Sequence, residues 1–121
     1  MAGVPPEIAH FEEEVKKLRV IQRELTEVAQ QRQQLMSQKS ENELVLRELR
    51  LVSAEEGKAV YKLVGPVLVR QSKEEAVETV THRLEFIGKQ LSEREARKKE
   101  LEDQAQKQHA LVCFSLDYHL N

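Results

Sequence analysis

Val60 to Gln71 reads Val-Tyr-Lys-Leu-Val-Gly-Pro-Val-Leu-Val-Arg-Gln, two short β-branched and apolar runs interrupted by Gly65-Pro66. The pattern predicts a β-hairpin, because glycine reaches the positive φ of a tight turn and proline, lacking an amide hydrogen, is confined to a turn or strand end. Side chains alternate between the faces of a strand. Val60 and Val64 therefore share one face, Tyr61 and Leu63 the other, and Leu68 alternates against Val67 and Val69. Both faces are apolar, whereas a hairpin half-buried on a surface would alternate with polar residues. An isolated two-stranded hairpin is marginal in water, and 121 residues that are mostly polar helix offer little to cover this one. Strands from other chains are the expected cover. Val60, Tyr61, Leu63, Val64, Gly65, Pro66, Val67, Leu68 and Val69 are thus the expected subunit-assembly element.

Heptad patterns flank the hairpin on both sides. Before it, Leu18, Ile21, Leu25, Val28, Arg32, Leu35, Lys39, Asn42, Leu46 and Leu49 recur at alternating spacings of three and four, and Ile8, Phe11 and Val15 extend the rhythm upstream. After it, Val77, Val80, Leu84, Ile87, Leu91, Arg94, Lys98, Leu101, Ala105, Gln108 and Val112 repeat the spacing. The composition agrees, with 33% charged residues, 4% aromatics, four Gly and three Pro. Acid-before-base pairs four apart, such as Glu12 and Lys16, Glu93 and Arg97, or Asp103 and Lys107, support exposed helix faces.

The expected architecture is one mainly α domain over 1–121: a long antiparallel two-helix coiled coil joined by one β-hairpin. Helix 1 is expected at about 6–52, with Pro5-Pro6 and Glu7 suited to its first turn. Ser53 to Gly57 is the expected loop, the hairpin spans about 59–71 and helix 2 spans about 73–112, opened by a Ser72…Glu75 capping box. A C-terminal tail over 113–121 completes the chain. Zipping the helices about Leu63 sets Leu49 beside Val77, Leu35 beside Leu91 and Leu25 beside Leu101. The same arithmetic brings Arg32 level with Arg94, which we read as two side chains snorkelling to solvent rather than a loosened coil. Both chain ends meet far from the hairpin, where Ile8, Phe11, Val112, Phe114, Leu116, Tyr118 and Leu120 gather more apolar surface than two helices bury between them.

Charge and chemistry exclude several function classes. With 19 basic and 21 acidic residues the net charge is −2, and the basic run Arg94 to Lys99 sits among acids, so nucleic acid binding is not expected. The longest apolar run falls well short of the roughly 20 residues that cross a bilayer. The single cysteine, Cys113, excludes an internal disulfide, and the absence of a secretory pattern points to an intracellular protein. There is no Gly-rich phosphate loop, nucleophile elbow or zinc-protease helix motif, so an enzyme is not expected, nor a cofactor. His109, Cys113, Asp117 and His119 have metal-ligand chemistry, but a chain end rarely supplies tetrahedral geometry with a supporting shell, and no metal site is expected. His10 and His82 stand alone on helix faces.

Ser40-Glu41-Asn42-Glu43-Leu44-Val45 with Glu48-Leu49, the whole of Val60 to Gln71, and Arg83-Leu84 with Ile87 together resemble the β class of the prefoldin subunit family, closest to its subunit 6 branch. The resemblance covers roughly residues 35 to 110. It implies that hairpins of six subunits, α and β class together, form an inter-subunit double β-barrel from which six coiled coils hang. It also implies an ATP-independent cytoplasmic co-chaperone that captures unfolded or nascent proteins, actin and tubulin among them, and delivers them to the cytosolic chaperonin. Ile8, Phe11, Val15, Leu111, Val112 and Phe114 would then be the client-binding tip. The alternative is a structural coiled-coil adaptor that oligomerises through its hairpin without holding clients.

Overall fold

The computed structural model describes residues 3–52 and 59–120. Two long helices flank one hairpin, in the order α1 (Pro6–Leu51), β1 (Val60–Val64), β2 (Val67–Gln71) and α2 (Lys73–Leu120). The chain divides into two compact units. One holds Met1–Arg32 with Glu93–Asn121, the other Gln33–Ser92. The loop expected at Ser53 to Gly57 lies outside the described residues.

Each helix begins where its local chemistry provides for the first amides. The carbonyl of Pro5 accepts from the amides of Ile8 and Ala9, both at 3.1 Å. Pro6 occupies a position where a missing N–H costs nothing, and Glu7 complements the positive end of the helix dipole. At the start of α2 the Ser72 hydroxyl oxygen accepts from the Glu75 amide at 3.1 Å, the serine half of the expected capping box.

In the hairpin, β1 and β2 pair antiparallel with Val64 opposite Val67, Leu63 opposite Leu68 and Tyr61 opposite Arg70. The two-residue loop is Gly65-Pro66, and Gly65 has φ +58°. Positive φ at the first turn position followed by the fixed negative φ of proline is the signature of a type II′ turn, whose twist matches that of the strands it joins.

In the first unit the buried residues are Val28 on α1 and Leu101 on α2, together with the polar Glu14, Gln108 and Ser115. Leu18, Ile21 and Leu25 are half-buried along the same stripe. In the second unit Ala76, Val80 and Ile87 are buried on α2, while Leu35, Leu46, Leu49, Val77, Leu84 and Leu91 are half-buried. This pattern is the three-four seam expected of a two-helix coil, where each apolar side chain is covered from one side only.

One expectation needs correction. The second helix does not stop near residue 112 and leave a tail over 113–121: α2 runs through to Leu120. The segment contains no Gly or Pro to stop it, and the seam continues one step further, to a buried Ser115. Arg32 and Arg94, level with each other in the expected pairing, each take a polar partner while part of the side chain stays in solvent. Arg32 Nε lies 3.0 Å from a Glu95 carboxylate oxygen, and Arg94 donates to Gln31 at 2.9 Å. Arg97 donates across the helix pair to Glu24 at 2.7 Å and along its own helix to Glu100 at 3.2 Å. These hydrogen bonds, that to Glu24 foremost, hold its guanidinium still further above its ordinary pKa.

Candidate functional site

The second unit presents the hairpin with both faces open. Leu63 and Leu68, directly opposite each other, keep 68% and 64% of their surface accessible. They share a face with Tyr61 and Arg70, while Val64, Val67 and Val69 sit with Lys62 on the other face, and all of these are exposed. Val60 alone among the apolar strand residues is half-buried. The sheet has two strands among the described residues, so each strand also carries one unpaired edge of amides and carbonyls. Apolar faces and free edges together make this element competent to accept strands from another chain.

The first unit carries a different feature. Counting back from Leu18 in strict alternation, the seam positions are residues 14 and 11, and the residue at 14 is a glutamate. Glu14 is buried in the structure, and Gln108 on α2 faces it. The Gln108 amide nitrogen donates to the Glu14 backbone carbonyl at 2.9 Å and to its carboxylate at 2.6 Å. Lys17 donates to the other carboxylate oxygen at 3.2 Å. The Gln108 hydrogen bond first, and Lys17 second, hold the Glu14 carboxyl below its ordinary value. Sequence reasoning missed Glu14 because it followed hydrophobicity to Val15; the spacing alone pointed to 14.

Next to this polar pair lies a groove of about 510 Å³. Pro6, Glu7, His10 and Glu14 form its α1 wall, and Leu111, Phe114, Ser115 and Tyr118 form its α2 wall. Each set follows the i, i+3/i+4, i+7/i+8 rule that puts residues on one helical face. Phe114 and Tyr118 keep 71% and 69% of their surface accessible.

Of the six residues expected at the client-binding tip, Leu111 and Phe114 line this groove. Ile8 is exposed outside it, and Phe11, Val15 and Val112 are half-buried without lining it. Pro6, Glu7, His10, Glu14, Ser115 and Tyr118 complete the lining instead. Cys113 Sγ lies 3.8 Å from His109 Nδ1 on an exposed face. Among the described residues no three His, Cys, Asp or Glu side chains converge on a common point, and no helix is long and apolar enough to cross a membrane.

The buried carboxylate makes the first unit sensitive to acid. Because the folded state lowers the Glu14 pKa from its ordinary 4.5, the stability it contributes is present above that value and disappears as pH falls through the lower folded value. Glu14→Gln removes this dependence. Thermal melts followed by circular dichroism are expected to show wild type more stable than the variant at pH 7, with the gap closing toward pH 3. A gap that stays constant over this range would contradict the ionised pair.

A sequence model of the family described as "Prefoldin subunit" matches residues 12–111. The chain is 41% identical over 90 residues to a protein of Caenorhabditis briggsae named "Probable prefoldin subunit 6", spanning 74% of this chain and 69% of that one. It is 38% identical over 100 residues to the Homo sapiens protein "Prefoldin subunit 6", spanning 83% and 76%. Its fold is similar to the crystal structure of the prefoldin β subunit from Thermococcus strain KS-1, with a TM-score of 0.78 at 25% identity over 93% of this chain and 94% of that one. Of the groove-lining residues, Glu14 and Leu111 fall within the matched family range, while Pro6, Glu7, His10, Phe114, Ser115 and Tyr118 lie outside it.

Proposed function

This chain belongs to the prefoldin subunit family, and on that premise we propose that it joins α- and β-class prefoldin subunits in a six-subunit co-chaperone, captures unfolded chains at its helix ends and passes them to the cytosolic chaperonin. The observation that carries the reading is apolar surface left open in each unit: both faces of the hairpin in one, the groove in the other. Such surface costs solubility unless something covers it. Hairpins of neighbouring subunits cover the first permanently by continuing the sheet into a double β-barrel. Client segments cover the second transiently.

The mechanism is burial without bond-making, and it uses no ATP and no catalytic group. A client's apolar side chains leave water against Leu111, Phe114 and Tyr118, a gain of roughly 25 cal/mol per Å² of apolar area before ordering costs. One groove holds a segment weakly. Several subunits acting on one chain multiply these contacts through effective concentration, so capture is firm while each contact releases readily. Actin and tubulin in the cytoplasm are the proposed clients.

The test is suppression of aggregation by the reconstituted complex as denatured actin is diluted from denaturant. Leu111→Ser with Phe114→Ser is expected to leave assembly intact and to reduce suppression severalfold. Undiminished suppression would remove the groove from the mechanism. An assembled wild-type complex that suppresses nothing would instead favour a structural adaptor.

A further inference from the structure

Charge is distributed unevenly along this chain. Residues 1–15 and 108–121 carry Glu7, Glu12, Glu13, Glu14 and Asp117 and no Lys or Arg, although the whole chain balances 21 acidic residues against 19 basic ones. The groove concentrates that bias on one side. Its α1 wall presents Glu7, His10 and Glu14, and its α2 wall presents Leu111, Phe114 and Tyr118. One wall is thus acidic and the other apolar and aromatic, and the cavity they share, about 510 Å³, falls within the size range of ligand pockets, about 300 to 1,000 Å³.

From this two-sided lining we propose that the groove selects, among unfolded segments, those in which an apolar or aromatic residue is flanked by Lys or Arg. The inference rests on the client-capture reading above and adds a specificity to it. The apolar residue packs on Leu111, Phe114 and Tyr118. The neighbouring cation lays its aliphatic stem along the aromatic rings and brings its charged head to the Glu7 and Glu14 carboxylates. Glu14 stays ionised because Lys17 and Gln108 donate to it, one to each carboxylate oxygen, and it lines the groove together with Glu7. A segment flanked by Asp or Glu meets like charge in a partly desolvated site, which disfavours it.

The experiment uses the assembled complex and three fluorescein-labelled peptides of identical Leu and Phe content, flanked by Lys, by Gln or by Glu. Fluorescence anisotropy at low salt is expected to show the Lys peptide binding about three- to tenfold tighter than the Gln peptide, with the Glu peptide weakest and the differences shrinking as salt rises. Glu7→Gln, a change in the exposed first turn, is expected to reduce the preference. Glu7→Gln with Glu14→Gln, checked for retained helix by circular dichroism, is expected to abolish it. If the three peptides bind equally, or the preference survives both variants, the charge selection is overturned; should that binding still be lost on Leu111→Ser with Phe114→Ser, capture at the groove stands. If no peptide binds, or binding ignores that serine pair, the capture reading fails and the selection with it.

Discussion

Replacing Leu68 by aspartate is expected to leave this chain outside the assembled complex while its helices persist. Leu68 sits opposite Leu63 on a face shared with Tyr61, and in the free chain all three are exposed, so the charge costs the isolated fold little. Assembly changes its surroundings. Once strands of neighbouring subunits close over that face, the carboxylate loses its water, a penalty of several kcal/mol per ion that Arg70 at the rim of the same face offsets only in part. That exceeds what a single interface residue contributes and is enough to empty the site. Native mass spectrometry of the reconstituted mixture reads the outcome directly, and far-UV circular dichroism confirms that α1 and α2 remain. Leu68→Met, which keeps volume and polarity, is expected to assemble as wild type. Intact complex containing the aspartate variant would refute the assignment of this hairpin face to the subunit interface.

Leu101→Ala carries the largest expected loss of stability. Leu101 retains 1% of its accessible surface and is the largest fully buried side chain among the described residues. Truncating a buried leucine removes its transfer free energy and leaves a cavity, for about 2 to 5 kcal/mol together. In a chain of this size that lowers the melting temperature by on the order of 10 °C. The informative comparison is Leu44→Ala. Leu44 is 51% exposed on the outer face of α1, and its truncation is expected to cost under about 1 kcal/mol. Equal losses at the two sites in thermal denaturation would mean that Leu101 does not anchor the seam.

The neighbouring ion pairs are a weaker source of stability. Arg32 with Glu95 and Arg97 with Glu24 cross between the helices of the first unit, yet each partner keeps about 40% of its side chain accessible. Water and salt screen such pairs.

The local features were legible because they depend on residues close together in sequence. A Gly-Pro break between β-branched runs identifies a hairpin and the place of its turn with no reference to the rest of the chain. The three-four recurrence from Leu18 to Leu49 and from Val77 to Leu101 identifies which face of each helix is apolar. What those runs cannot specify is which residues of α1 stand opposite which residues of α2, since that depends on the axial offset at which all layers pack best. Glu14 shows the difference. By hydrophobicity Val15 is the better seam residue, and Glu14 is buried only because Gln108 arrives opposite it with two donors. The groove is decided the same way. Glu7, His10, Phe114 and Tyr118 lie more than 100 positions apart across the two walls and share a cavity solely through that offset. The apolar stripe and the hairpin were written in the chain's local pattern; the pairing of a buried acid with an amide, and the cavity beyond it, belong to the tertiary structure, because only the packing of one helix against the other determines them.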